Sequence, residues 1–338
     1  MEAYLYEPLD DDRKVRCHLC HHRCVIKEGK RGICGVRENQ DGILKTLVYG
    51  KLIAQHVDPI EKKPLYHVLP GTLSYSIATV GCNFKCRFCQ NADIAQLPSD
   101  RKGMIVGDPS TPEDVVTAAT RSGCRSIAYT YTEPTIFFEF AHDTAKLAHE
   151  EGLLNVFVTN GYMTSEALHM IKPYLDAANV DLKAFNDAFY KEQCSAKRKH
   201  VMGTLQMMKS LGIFVEVTTL LIPGLNDDRK ELEELASFVA DSLGPDTPWH
   251  ISRFHPTYKL TDRPPTPAES IYEARRIGLD AGLRYVYSGN LPGDDGENTV
   301  CYSCGHPLIE RWGYRISKNV IQDGRCPKCS ATIDGIGL

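Results

Sequence analysis

Short runs of β-branched and aromatic residues alternate with longer stretches whose apolar positions recur at helical spacing, and this alternation is confined to about residues 72–290. The runs at 73–80, 126–132, 155–159, 178–182, 214–221, 249–254 and 284–287 predict about seven strands. Between them, TPEDVVTAATRSG predicts a helix capped by Thr111, with Pro112 suited to the first turn and Glu113 and Asp114 favouring the positive helix start. FFEFAHDTAKLAHEEG and DDRKELEELASFVADSLG carry the same period and end on a glycine suited to a left-handed cap. Repeated strand–helix units predict an α/β protein with a parallel sheet. Eight strands close a barrel and only six or seven are visible, so the expectation is a partial, open (β/α) barrel.

The flanks read differently. Residues 1–70 and 295–338 lack the alternation and carry clustered cysteines instead. The expected organisation is an N-terminal Cys-rich metal-binding segment (1–70), the partial barrel (71–294) and a C-terminal zinc-ribbon-like module (295–338). Segments this short rarely support a core alone, and bound metal is a common source of the missing folding energy.

Composition adds limits rather than an identity. Hydrophobic residues at 42% and charged residues at 24% are ordinary for a globular chain, and no run approaches the roughly 18 apolar residues that cross a membrane. The acidic beginning lacks a basic stretch followed by an apolar one, so a cytoplasmic location is expected. A net charge of −4 and a pI near 6.3 give no drive toward nucleic acid or anionic lipid. Thirteen cysteines in a chain read as cytoplasmic favour metal ligation or redox chemistry over disulfides.

Eleven of those cysteines fall in three groups. Cys82, Cys86 and Cys89 form C-x3-C-x2-C directly after the first strand of the repeat, where strand-to-helix loops build the active face of a barrel. A cubane iron–sulfur cluster takes four thiolates, so three leave one iron open for a non-protein ligand. The competing reading is a zinc or structural cluster completed by Cys124 or Cys194, which otherwise read as small buried hydrophobes. Cys301, Cys304, Cys326 and Cys329 form two C-x2-C hooks of the kind that clamps tetrahedral zinc, with a second iron–sulfur cluster as the alternative. Cys17, Cys20, Cys24 and Cys34 suit zinc or an iron–sulfur cluster equally, with His21 or His22 as a substitute ligand.

The motif GCNFKCRFCQN, with Phe88 just before the third cysteine, resembles the radical SAM fingerprint. The resemblance implies a [4Fe–4S] cluster on Cys82, Cys86 and Cys89 that cleaves S-adenosylmethionine to methionine and a 5′-deoxyadenosyl radical. It implies that Phe88 lies near the adenine and that YTYTEPT supplies Glu133 to the cofactor's amino group, with Thr132 where relatives carry a glycine. VFVTNGY and NVDLKAF resemble the activating-enzyme branch, which implies that Thr159, Asn160, Asp181 and Lys183 meet the methionyl and ribose groups. Val158 stands where relatives often carry an Asp that helps hold a monovalent cation. Arg253 and His255, at the end of the sixth strand, are candidate substrate contacts.

With CHLCHHRC ahead of it and the two hooks behind, the chain looks like the radical SAM component of the AmmeMemoRadiSam system, which is similar to pyruvate formate-lyase activating enzymes. That implies a protein or peptide substrate, AMMECR-type and Memo-type partner proteins, and an electron donor such as flavodoxin or ferredoxin. Modification of a small molecule or RNA is the alternative activity. A non-catalytic zinc scaffold is the alternative class.

Overall fold

The computed structural model describes residues 1–9, 13–291 and 293–338. Residues 10–12, part of the acidic beginning, and residue 292 lie outside them.

The main sheet has eight strands: β1 (Ala54–Pro59), β2 (Leu73–Ala78), β3 (Ser126–Tyr129), β4 (Leu154–Thr159), β5 (Ala177–Asp181), β6 (Phe214–Leu221), β7 (Trp249–Arg253) and β8 (Val286–Gly289). They lie side by side in chain order, β2 to β8 all parallel and β1 antiparallel on the edge beside β2. β1 and β8 are not paired with each other, so the barrel is open as expected, although the sheet holds eight strands rather than six or seven, the extra one being the antiparallel edge strand. All seven predicted strands are present. The edge strand was not predicted, because AQHVDP is mostly exposed and shows no two-residue alternation of burial.

Helices cover the outer face. Pro112–Arg121 begins with a capping box in which Thr111 and Asp114 bond each other's backbone amides. Leu232, Leu235 and Ala236 bury the inner face of Arg229–Ser237 at helical spacing. Inside the sheet, neighbouring strand residues alternate between the barrel interior and the helical layer. Glu216 on β6 lies in the interior, bonded by His250 Nε2 at 2.6 Å and by the backbone amides of Tyr66 and His67 at 3.1 and 2.8 Å. Burial alone would raise the Glu216 carboxyl, but these partners hold it below the usual carboxylate range.

The flanks dock on this frame. Thr299–Val300, Pro307–Trp312 and Arg315–Asn319 form a small antiparallel sheet. Its buried Arg311 donates to the Tyr66 carbonyl at 3.0 Å and stacks over the Tyr66 ring. At the other end, Tyr6–Pro8, Val15–Cys17 and Val25–Ile26 form a second small sheet. It is tied to the barrel by Thr164 Oγ1 donating to the His18 carbonyl at 2.7 Å. No described helix is long and apolar enough to cross a membrane.

Candidate active site

The C-terminal ends of the strands open into a cleft of about 460 Å³. Cys82, Cys86, Phe88, Cys89, Thr159, Asn160, Asp181 and Lys183, gathered by sequence reading from three separate motifs, all line it. That convergence follows from parallel strands in sequential order, since each strand end is followed by a loop on the same rim.

The cysteine loop is held from both sides. Gly81 has φ +102°, and a Cβ there would stand 2.6 Å from Val36 Cγ1, so the residue before Cys82 has to be glycine. The amides of Lys85 and Arg87 donate to the carbonyls of Cys194 and Gln193, and Gln96 Nε2 donates to the Phe84 carbonyl at 3.0 Å. Cys82 Sγ accepts from the Phe84 amide at 3.4 Å and from Asn160 Nδ2 at 3.4 Å. Burial raises the thiols of Cys82 and Cys89, the latter to about 11, and a bound metal would take the proton's place. Cys194, which reads as a packing residue, lies fully buried against Cys86; a side-chain hydrogen bond between them, with burial, raises the Cys86 thiol further.

Glu133 lies behind the Thr159–Asn160 turn. It is fully buried and does not line the cleft. Its carboxylate accepts from Thr159 Oγ1 at 2.8 Å, from the Asn160 amide at 2.7 Å and from both the hydroxyl and the amide of Thr135. It therefore braces the Thr159–Asn160 turn from beneath, although burial still raises its carboxyl above the usual value. The turn ends at Gly161, with φ +64° and Val180 Cγ1 2.6 Å from where a Cβ would be. Asp181 and Lys183 form an ion pair at 2.8 Å on the cleft wall, with the ammonium 6.0 Å from the Phe88 ring centre.

Arg253 and His255 are not in the lining. Arg253 Nε donates to the Thr266 carbonyl at 2.7 Å, and His255 is exposed. The strand period explains it: Asn179 and Asp181 on β5, Thr218 and Leu220 on β6 and Ser252 on β7 line the cleft, so Arg253, one residue further, turns away. Sequence reading also missed Lys62 and Lys63, at the edge-strand side of the cleft. Both ammonium groups bond Asp58, at 2.8 and 2.7 Å, and burial lowers Lys63 to about 8. Tyr314, on the ribbon hairpin, also lines the cleft and is itself half exposed.

The four hook cysteines gather elsewhere, on the C-terminal module. Their sulfurs all lie within 4.8 Å of one another, with Cys301 to Cys329 at 3.6 Å and Cys304 to Cys326 at 3.8 Å. Four thiols so placed can hold a metal ion.

Comparison with known proteins agrees with this geometry. The family model described as the radical SAM superfamily matches residues 76–239. An uncharacterized protein of Methanocaldococcus jannaschii, MJ0808, is 48% identical over 335 residues, 98% of either chain. The pyruvate formate-lyase-activating enzyme of Streptococcus mutans is 23% identical over 181 residues, 50% of this chain and 66% of that one. The fold is similar to that of Streptococcus suis SuiB, solved bound to its precursor peptide SuiA, with a TM-score of 0.50 and 11% identity over 69% of this chain and 52% of that one. The open parallel barrel, the three thiols on its first loop and the family match over residues 76–239 identify a radical SAM domain in this chain.

Proposed function

We propose that this chain cleaves S-adenosylmethionine reductively at a [4Fe–4S] cluster held by Cys82, Cys86 and Cys89, and uses the product radical on a protein or peptide. The observation that carries the reading is that these three thiols, and no other, line a cleft walled by polar groups of the neighbouring strand ends. Three thiolates suit a cluster with one iron left for the cofactor's amino and carboxylate groups. When bound, the cluster supplies the electron that breaks the sulfonium bond and yields methionine and a 5′-deoxyadenosyl radical.

The chain's own groups do the remaining work. Asn160 donates to the Cys82 sulfur, which favours negative charge on that thiolate. Glu133 fixes the turn that aims Asn160, and Lys183, kept charged by Asp181 against the cost of burial, places a cation beside the thiols. Phe88 offers an apolar face at the cleft wall, suited to an adenine. Glycyl-radical installation on a protein partner is the sharpest form of the reading, supported by the named activating-enzyme relative. The half-exposed Tyr314 at the cleft rim and Trp312, 72% exposed on the same hairpin, suit docking of a polypeptide. Zinc is the ion we assign to the hooks, because a metal–sulfur bond of about 2.3 Å in a tetrahedron separates sulfurs by roughly 3.8 Å. A reducing compartment such as the cytoplasm, with a flavodoxin or ferredoxin as donor, and partners of the AMMECR and Memo types complete the reading.

The test is spectroscopic. The reduced, reconstituted protein should show a paramagnetic cluster signal that changes on adding S-adenosylmethionine, and the change should vanish in Cys86→Ala. A colourless protein holding only zinc would establish the scaffold reading instead.

A further inference from the structure

The N-terminal quartet fits neither description so far. Cys17, Cys20, Cys24 and Cys34 line one small pocket with apolar neighbours such as Leu19 and Ile136, and none is in a disulfide. Yet among the described residues the hooks are the one group of three or more such side chains whose ligand atoms lie within 4.8 Å of one another. No three of the quartet's sulfurs come that close, and neither do the three cleft sulfurs. A single zinc ion needs sulfurs at the hook spacing, whereas a cubane puts a separate iron behind each thiolate and holds the sulfurs farther apart.

The donors are thiols alone. His21 stacks on His200 with ring centres 4.2 Å apart, His22 Nε2 bonds the Asn83 carbonyl at 2.8 Å, and His18 Nδ1 is taken by Arg23. One sulfur already has a donor of the kind that stabilises a cluster thiolate, Arg37 Nη1 reaching Cys17 at 3.1 Å, and the nearby backbone amides of His22, Ile33 and Val36 work against the burial that raises the thiols of Cys20, Cys24 and Cys34. Arg37 is buried and ion-paired with Glu139, so its charge is fixed beside the site.

From this arrangement we infer that the quartet holds a second iron–sulfur cluster of the [4Fe–4S] type, ligated by protein at every iron and therefore closed to S-adenosylmethionine. Its place gives it a role. The Cys34 carbonyl lies 3.1 Å from where a Cβ of Gly81 would stand, and His22 bonds the residue after Cys82, so the quartet's loops rest directly on the catalytic cysteine loop. The site is placed for one-electron transfer: an electron taken from an external low-potential carrier passes to the catalytic cluster with no bond made or broken.

The experiment is metal analysis and paramagnetic resonance on the anaerobically reconstituted full chain. Wild type should hold about eight irons and one zinc per chain, and a Cys82→Ala, Cys86→Ala, Cys89→Ala triple variant about four irons and one zinc. The variant's reduced signal should not respond to S-adenosylmethionine, and adding Cys34→Ala should abolish it. About four irons and two zincs in wild type would overturn the inference, and this count stands even where the variants fail to fold. The outcome is separable from the catalytic reading: a cofactor-insensitive wild type that still holds iron on the quartet sinks that reading and leaves this one standing.

Discussion

The cleft and the ribbon use the same side chain for opposite ends. On the ribbon four thiols, two of them buried, crowd within 4.8 Å in a module with few buried residues of its own. In the cleft three thiols stand farther apart, two of them also buried, inside polar walls drawn from four strands and the loops that follow the strand ends. A filled, compact tetrahedron has no place for a reactant, whereas three spread thiolates keep one position open. Spacing and count, more than residue type, divide stapling from chemistry here.

The comparison is broken or sharpened most by cysteine replacement. Cys89→Ala should abolish cofactor cleavage and leave thermal stability nearly unchanged, while Cys304→Ser should lower the melting temperature sharply and leave cleavage per folded molecule within severalfold. If the two variants exchanged these effects, the division would be wrong.

Glu133→Gln probes the brace behind the cleft. An amide puts a donor where the Asn160 and Thr135 amides also donate, at a cost of about 1–3 kcal/mol. Affinity for the cofactor, followed by calorimetry, should fall about 10–100-fold. An unchanged affinity would mean that the turn does not need it.

Acidity tests the ribbon's seat. Burial lowers His67 to about 4, and the imidazole is bonded to the Asp334 carbonyl and Tyr287 Oη at 2.6 Å each. The unfolded chain takes up a proton near the ordinary value of about 6.5 while the fold resists until about 4. Stability is therefore full above about 6.5 and falls between the two values, by about 3 kcal/mol. Denaturant midpoints across that range should show the slope, and His67→Gln should flatten it. Smaller still, Arg311→Met removes the bond to the Tyr66 carbonyl and should cost about 2 kcal/mol while leaving the cleft's cluster signal intact.

How much of this the sequence displayed depends on the range of the interactions. The parallel strands were legible because each is a short, largely buried run, and the helix start because Thr111, Pro112 and the acidic pair Glu113 and Asp114 are contiguous. The thiols and strand-end polar residues of the cleft were legible because each motif is contiguous. Arg253 was misplaced by a single step of strand register. Lys63, Tyr314 and the Cys194 contact with Cys86 were invisible for another reason: each reaches the site from a segment far away in the chain, and no local period encodes such a meeting. Glu133 was found by motif, but its bonds to Thr159 and Asn160 were not, because those partners come from the next strand.

The most direct measurement is the formation of 5′-deoxyadenosine when the reconstituted protein is reduced in the presence of S-adenosylmethionine. The account predicts the nucleoside from wild type and none from Cys89→Ala. Equal yields from a cluster-loaded wild type and the variant would contradict it.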